Sequence, residues 1–136
     1  MQELTQSLMG IGGFALYFGV SLVLLIAFKF IYTLVTPHDE FALIKEQNSS
    51  AAIALSGAII GFCIALAGAA SNSVSIVDFV VWSVVALIAQ LTAILVVRIF
   101  LPLVVKRIKD GEVPAGIVLG SVSVGVGLLN AACMTY

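Results

Sequence analysis

Few side chains in this 136-residue sequence could carry chemistry, and the densest group of them is His38-Asp39-Glu40. An imidazole and two carboxylates suggest a metal, yet consecutive helical residues point about 100° apart. Metal ligands must converge on one point, so this trio makes a poor cage. The two cysteines, Cys63 and Cys133, have neither CxxC spacing nor a neighbouring histidine. Each sits in an apolar stretch, where a thiol behaves as a small hydrophobe. The chain has no Ser-His-Asp set, phosphate-binding loop or HExxH pattern. The residues therefore point away from an enzyme and imply no metal and no cofactor.

A second group lies deep in apolar sequence: Gln90, Thr92 and Asn130, with Arg98 and Lys29 nearer the span ends. Hydrocarbon offers an amide no hydrogen bond. Gln90 and Asn130 are therefore candidate contacts between helices or, with several copies around one axis, a polar pore lining. Arg98 lies about two turns before a basic loop, and Lys29 holds a comparable place earlier in the chain. Both are expected to snorkel to the interface. Asp78 falls at the outer end of its span, which leaves no deep carboxylate for a proton relay.

The elements that position these residues are membrane spans. Apolar residues make up 62% of the chain and charged residues 10%, against about a quarter charged in soluble domains. Four segments are long enough to cross a bilayer: about 8–35, 50–70, 76–105 and 114–134. Asn48-Ser49-Ser50 supplies N-cap chemistry for the second. Pro102 is expected to kink the last turn of the third, and Pro114 suits the first turn of the fourth. The N-terminus lacks the basic n-region of a signal peptide, so the first span is read as retained.

All the basic residues (Lys29, Lys45, Arg98, Lys106, Arg107, Lys109) flank the first and third loops, and none flanks the second. Positive charge marks the cytoplasmic side, which places both termini in the periplasm. No basic cluster sits on a polar domain, so nucleic acid is not a partner.

The second and fourth spans match at a shift of 64 residues: Ala51, Ile53, Leu55 and Gly61 against Ala115, Ile117, Leu119 and Gly125. Phe28-Lys29-Phe30 parallels Val97-Arg98-Ile99 at a shift of 69. The fold class expected is all-α integral membrane, with four transmembrane helices forming two duplicated hairpins, about 8–72 and 76–136. Both hairpins would enter the bilayer in the same direction, as a parallel repeat. Gly57, Gly61, Ala65 and Ala69 form a ribbon of small residues, as do Gly116 and Gly120. Such ribbons let helix backbones approach closely in lipid. They pack the hairpins within one chain or build a homo-oligomer, and the oligomer is the reading preferred here.

The first loop opens Thr36-Pro37-His38-Asp39-Glu40, a helix-start pattern. Phe41, Leu43 and Ile44 then predict a short amphipathic helix over about 37–46 on the cytoplasmic surface. The segments Thr36–Lys45 and Asn130–Tyr136 resemble the YjfL family of small bacterial inner membrane proteins, a family of unknown function. The resemblance covers the whole chain and implies a bacterial inner membrane location. Through gene neighbourhoods it also implies an association with phage-shock-type membrane-stress proteins and glutathionylspermidine-synthetase-like enzymes. It carries no established active site. The two motifs single out His38 and Asn130 as places for a ligand or partner. Together these observations favour a non-enzymatic oligomeric scaffold in the bilayer with a peripheral cytoplasmic protein as partner. The alternative is an oligomeric channel or small transporter lined by Gln90, Thr92 and Asn130.

Overall fold

The computed structural model describes residues 1–36 and 40–134, and every regular element among them is helical. In chain order these are α1 (Gln2–Val35), α2 (Glu40–Lys45), α3 (Ser49–Asn72), α4 (Ile76–Phe100), α5 (Val104–Lys109) and α6 (Val113–Cys133). Helices α1, α3, α4 and α6 are long and apolar enough to cross a membrane. The expected first helical position at Pro37 and the site expected at His38 lie outside the described residues. What is described there is that Thr36 ends α1, its backbone N–H and its hydroxyl both donating to Tyr32 O.

Two boundaries differ from expectation. Helix α1 begins at Gln2 rather than near Leu8, so it holds 34 residues against 24, 25 and 21 in the others. Helix α4 stops at Phe100 instead of bending through Pro102. Leu101 leaves helical geometry, φ −127° and ψ 81°, because the proline ring disfavours helical backbone in the residue before it. The chain then restarts as α5, so the half of the expected basic loop that carries Lys106, Arg107 and Lys109 is helical.

The centre of the fold is the pair α3 and α6, which run parallel because two reversals of the chain separate them. Their small residues meet backbone to backbone. A Cβ on Gly57 would collide with the main chain of Gly120, and one on Gly127 with Gly61 O. A Cβ on Gly120 would come within 2.8 Å of Ile53 O. Gly61, Ala65 and Ala69 lie buried along the same line. Both ribbons named from the sequence thus face each other inside one chain. Such contact maximises dispersion where lipid removes any hydrophobic drive.

Helix α4 packs on both members of this pair, and α1 packs beside it on α3 and α4. Aromatic contacts fill the wider gaps. Phe28 stacks on Phe62 with ring centroids 4.6 Å apart, and Tyr17 meets Phe79 at 5.1 Å.

Candidate functional site

The ends that carry α2 and α5 are the most elaborately tied part of the described residues, and the ties grow from turn chemistry. Helices α2 and α5 are each six residues long and end alike. In α2, Gln47 N–H donates to Ile44 O and Asn48 N–H to Leu43 O; in α5, Gly111 N–H donates to Ile108 O and Glu112 N–H to Arg107 O. Each set is a Schellman cap, which needs a left-handed residue after the helix. Gln47 (φ 62°) and Gly111 (φ 84°) supply it. The next residue in each case, Asn48 or Glu112, is the N-cap of a spanning helix.

The two turns are laced together. Asn48 Oδ1 accepts from Ala51 N–H at 3.0 Å and caps α3. Its Nδ2 donates to Ile108 O and Lys109 O, at 2.9 and 3.2 Å, at the end of α5. Ser50 Oγ, buried, donates to Glu112 O at 2.6 Å. The reading of Asn48-Ser49-Ser50 as a cap captured only half of this role. Val104 and Ile108 anchor α5 in the core, while Lys106, Arg107 and Lys109 stay exposed. Arg107 pairs with Glu112 at 2.9 Å, both side chains about half exposed at 47%.

Arg98 does not act as a free anchor. Its guanidinium donates to Val35 O at 2.7 Å and so ties α4 to the last turn of α1. A cation there also complements the negative end of the helix dipole. Lys29 Nζ lies 5.4 Å from the ring centroid of Phe30.

Away from these turns the polar residues part company. Gln90 is fully buried, and its Nε2 donates to Ser123 O at 2.9 Å. The same Nε2 would lie 3.0 Å from a Cβ on Gly61, so one amide joins α4 to α6 where it passes the bare backbone of α3. Thr92 instead donates to Ile88 O in its own helix and faces outward. Asn130, half-buried, lies two turns beyond Ser123 on α6. Gln90 Oε1, Ser123 Oγ and Asn130 Nδ2 are buried without hydrogen-bond partners among the described residues. Gln90, Thr92 and Asn130 therefore do not converge on one axis within a single chain.

The grooves on this surface are open and mostly apolar. One, about 520 Å³, runs between α3 and α6 past Ser56, Gly57, Gly120 and Ser121. Among the described residues no three of His, Cys, Asp and Glu come together as a metal site. Cys63 and Cys133 are both free and exposed.

Comparison with known proteins places this geometry among relatives. The chain is 40% identical over 123 residues to the UPF0719 inner membrane protein YjfL of Escherichia coli strain K12, covering 90% of this chain and 93% of the relative. The same identity and coverage hold for the protein of that name in Escherichia coli O157:H7. No solved structure matches the chain. Residues 4–134 match the model of the Domain of Unknown Function family DUF350, and with both findings in hand this chain belongs to that family.

Proposed function

We propose that this protein is a non-enzymatic, homo-oligomeric scaffold of the bacterial inner membrane that presents a preformed cytoplasmic platform to a peripheral protein. The observation that carries the reading is the lacing of the two cytoplasmic turns by Asn48 and Ser50. It holds Lys106, Arg107 and Lys109 on a fixed exposed turn rather than a slack loop. A fixed turn loses less conformational entropy on docking. In a membrane-stress setting, the same charges would attract anionic headgroups and acidic protein surfaces, each worth about 1 kcal/mol near the bilayer.

Both termini face the periplasm in this reading, since the basic turns mark the cytoplasmic side. The chain is a duplicated hairpin, with α2-Gln47-Asn48-α3 repeated as α5-Gly111-Glu112-α6. Support comes from the identical cap pattern at a shift of 64 residues.

The test is a photo-cross-linking residue placed at Lys106 or Lys109 in the intact protein, compared with one at Ser73 in the opposite turn. The scaffold reading expects a discrete protein adduct from the α5 positions and none from Ser73.

A channel is the second reading, favoured by one observation: the unpartnered Gln90 Oε1, Ser123 Oγ and Asn130 Nδ2. Solute flux through the purified protein in vesicles, abolished by Gln90→Leu, would establish it in place of the scaffold.

A further inference from the structure

The turns at α2 and α5 share one cap pattern at a shift of 64 residues, so they compare position by position. Lys45 and Glu46 correspond to Lys109 and Asp110, but Ala42 and Leu43 stand where the second turn has Lys106 and Arg107. Leu43 is half-buried and packs on the core, whereas the Arg107 side chain is 47% exposed. The cap pattern therefore forms with an apolar residue at this position, and the turn does not need the guanidinium of Arg107.

That guanidinium is only partly engaged. Its Nε donates to Glu112 Oε2 at 2.9 Å, and among the described residues its Nη atoms make no hydrogen bond. Glu112 holds the fork in one orientation, and the remaining N–H donors suit phosphate oxygens, which an arginine engages in pairs. At 3.6 residues per turn, Arg107 lies about 80° to one side of the buried Val104–Ile108 face, with Leu103 beyond it. Lys109 lies about 120° to the other side, and Lys106 points directly away from the core. Helix α5 thus turns Arg107 and its two lysines in different directions.

Beside Arg107 the elbow between α4 and α5 opens a groove of about 280 Å³, lined by Leu101, Pro102, Leu103, Val104 and Arg107. The rest of this lining is apolar, and Leu101 and Leu103 are exposed, at 38% and 62%. One turn of helix, about 10 Å across and 5.4 Å long, fills roughly 420 Å³. The groove is too small to seat a partner helix and suits a run of methylenes. Helices α4 and α6 hold 25 and 21 residues, each about enough to cross the hydrocarbon, and α5 joins their ends on one side. The elbow therefore lies where the spans meet the headgroups. An apolar groove that ends in a cation with free donors at that level matches a phospholipid along its length. Lys106, Arg107 and Lys109 outweigh Asp110 and Glu112 in this turn, which favours an anionic headgroup over a zwitterionic one.

We infer that the α4–α5 elbow binds one anionic phospholipid, its phosphate on the Nη atoms of Arg107 and one acyl chain along Leu101, Pro102 and Leu103. The site goes beyond the docking function and does not rest on it, since Lys106 and Lys109 lie on other sides of α5. It is also independent of which side of the membrane the turn faces.

The test titrates phosphatidylglycerol, and separately phosphatidylethanolamine with the same acyl chains, into the full chain in detergent and counts bound lipids by native mass spectrometry. The intact protein should hold one phosphatidylglycerol in preference to phosphatidylethanolamine. Arg107→Ala should weaken that binding about tenfold or more, the loss expected for a hydrogen bond to a charged group. Lys106→Ala and Lys109→Ala should weaken it far less. Glu112 makes no side-chain cap bond to α6, so Glu112→Gln frees Nε, removes a carboxylate and should bind the lipid at least as tightly as the unaltered chain. Equal losses in Arg107→Ala and Glu112→Gln would show that the ion pair serves only the turn, and the inference fails. Equal losses at all three basic positions, or equal binding of the two lipids, reduce the effect to diffuse attraction and overturn it as well. A photo-cross-linking residue at Leu103 in native membranes should yield a lipid adduct. A protein adduct there in its place would assign the groove to a protein partner and overturn the lipid site.

Discussion

Gln90 Nε2 donates to the backbone carbonyl of Ser123 at 2.9 Å, and both residues are fully buried near the middle of their helices. An amide at this depth holds α4 against the α3–α6 pair. Interhelical hydrogen bonds of this kind contribute about 0.6 kcal/mol on average. Gln90→Leu keeps the volume and removes an unpartnered Oε1, so stability should change by less than about 1 kcal/mol. Gln90→Glu places a carboxyl in the same gap and should cost about 2 kcal/mol or more. Denaturation in mixed micelles measures both. A collapse of the Gln90→Leu protein would show that the amide does more than pack.

The contact of Gly57 with Gly120 sets the distance between the two central helices. Gly57→Ala puts a methyl group into the Gly120 main chain, so α3 and α6 must separate along their length. Overpacking of this kind costs about 1–3 kcal/mol. Gly125→Ala meets nothing within 4 Å and should be neutral or stabilising by up to about 1 kcal/mol. Thermal unfolding in detergent distinguishes the pair, and equal effects would contradict the parallel helix contact.

The two left-handed caps make an opposed pair of predictions. Gln47 holds φ 62° with a side chain, whereas Gly111 holds φ 84° without one. Left-handed backbone costs an ordinary residue about 1–2 kcal/mol. Gln47→Gly should therefore stabilise the protein, and Gly111→Ala should destabilise it by about 1 kcal/mol. Nothing crowds Gly111, so the second effect belongs to the backbone alone.

Arg98 ties α4 to the end of α1 through Val35 O. Arg98→Leu removes a charge-assisted bond worth about 1.5–3 kcal/mol and frees the last turn of α1. Proteolysis from the side that bears this connection should then cut more rapidly between α1 and α2. Unchanged cleavage would return Arg98 to the role of a simple interfacial anchor. By contrast, Arg107→Ala breaks an exposed pair and should cost less than about 1 kcal/mol.

The spans were readable from composition because hydrocarbon demands long apolar helices and nothing else in the chain supplies them. Asn48 as a cap and Pro114 in a first turn followed from local backbone chemistry. The end of α4 was misplaced because Pro102 bears on Leu101 before it as much as on its own lost hydrogen bond. The ties of Ser50 to Glu112 and of Arg98 to Val35 were not legible, since each joins residues more than 60 positions apart. The glycine ribbons were visible, but their partner was not: a small-residue face fits a neighbour in the same chain as well as one in another copy. The paired caps of α2 and α5 were missed because Gln47 occupies a position where glycine is the usual signal.

The central claim is that the fixed turn carrying Lys106, Arg107 and Lys109 docks a protein at the cytoplasmic face. Photo-cross-linking from Lys106 and Lys109 in living cells tests it most directly, with Ser73 as the opposite-side control. The account predicts a discrete adduct from the α5 positions that disappears when Ser50→Ala and Asn48→Ala loosen the turn. Adducts absent from α5, together with solute flux through the purified protein in vesicles, would contradict it.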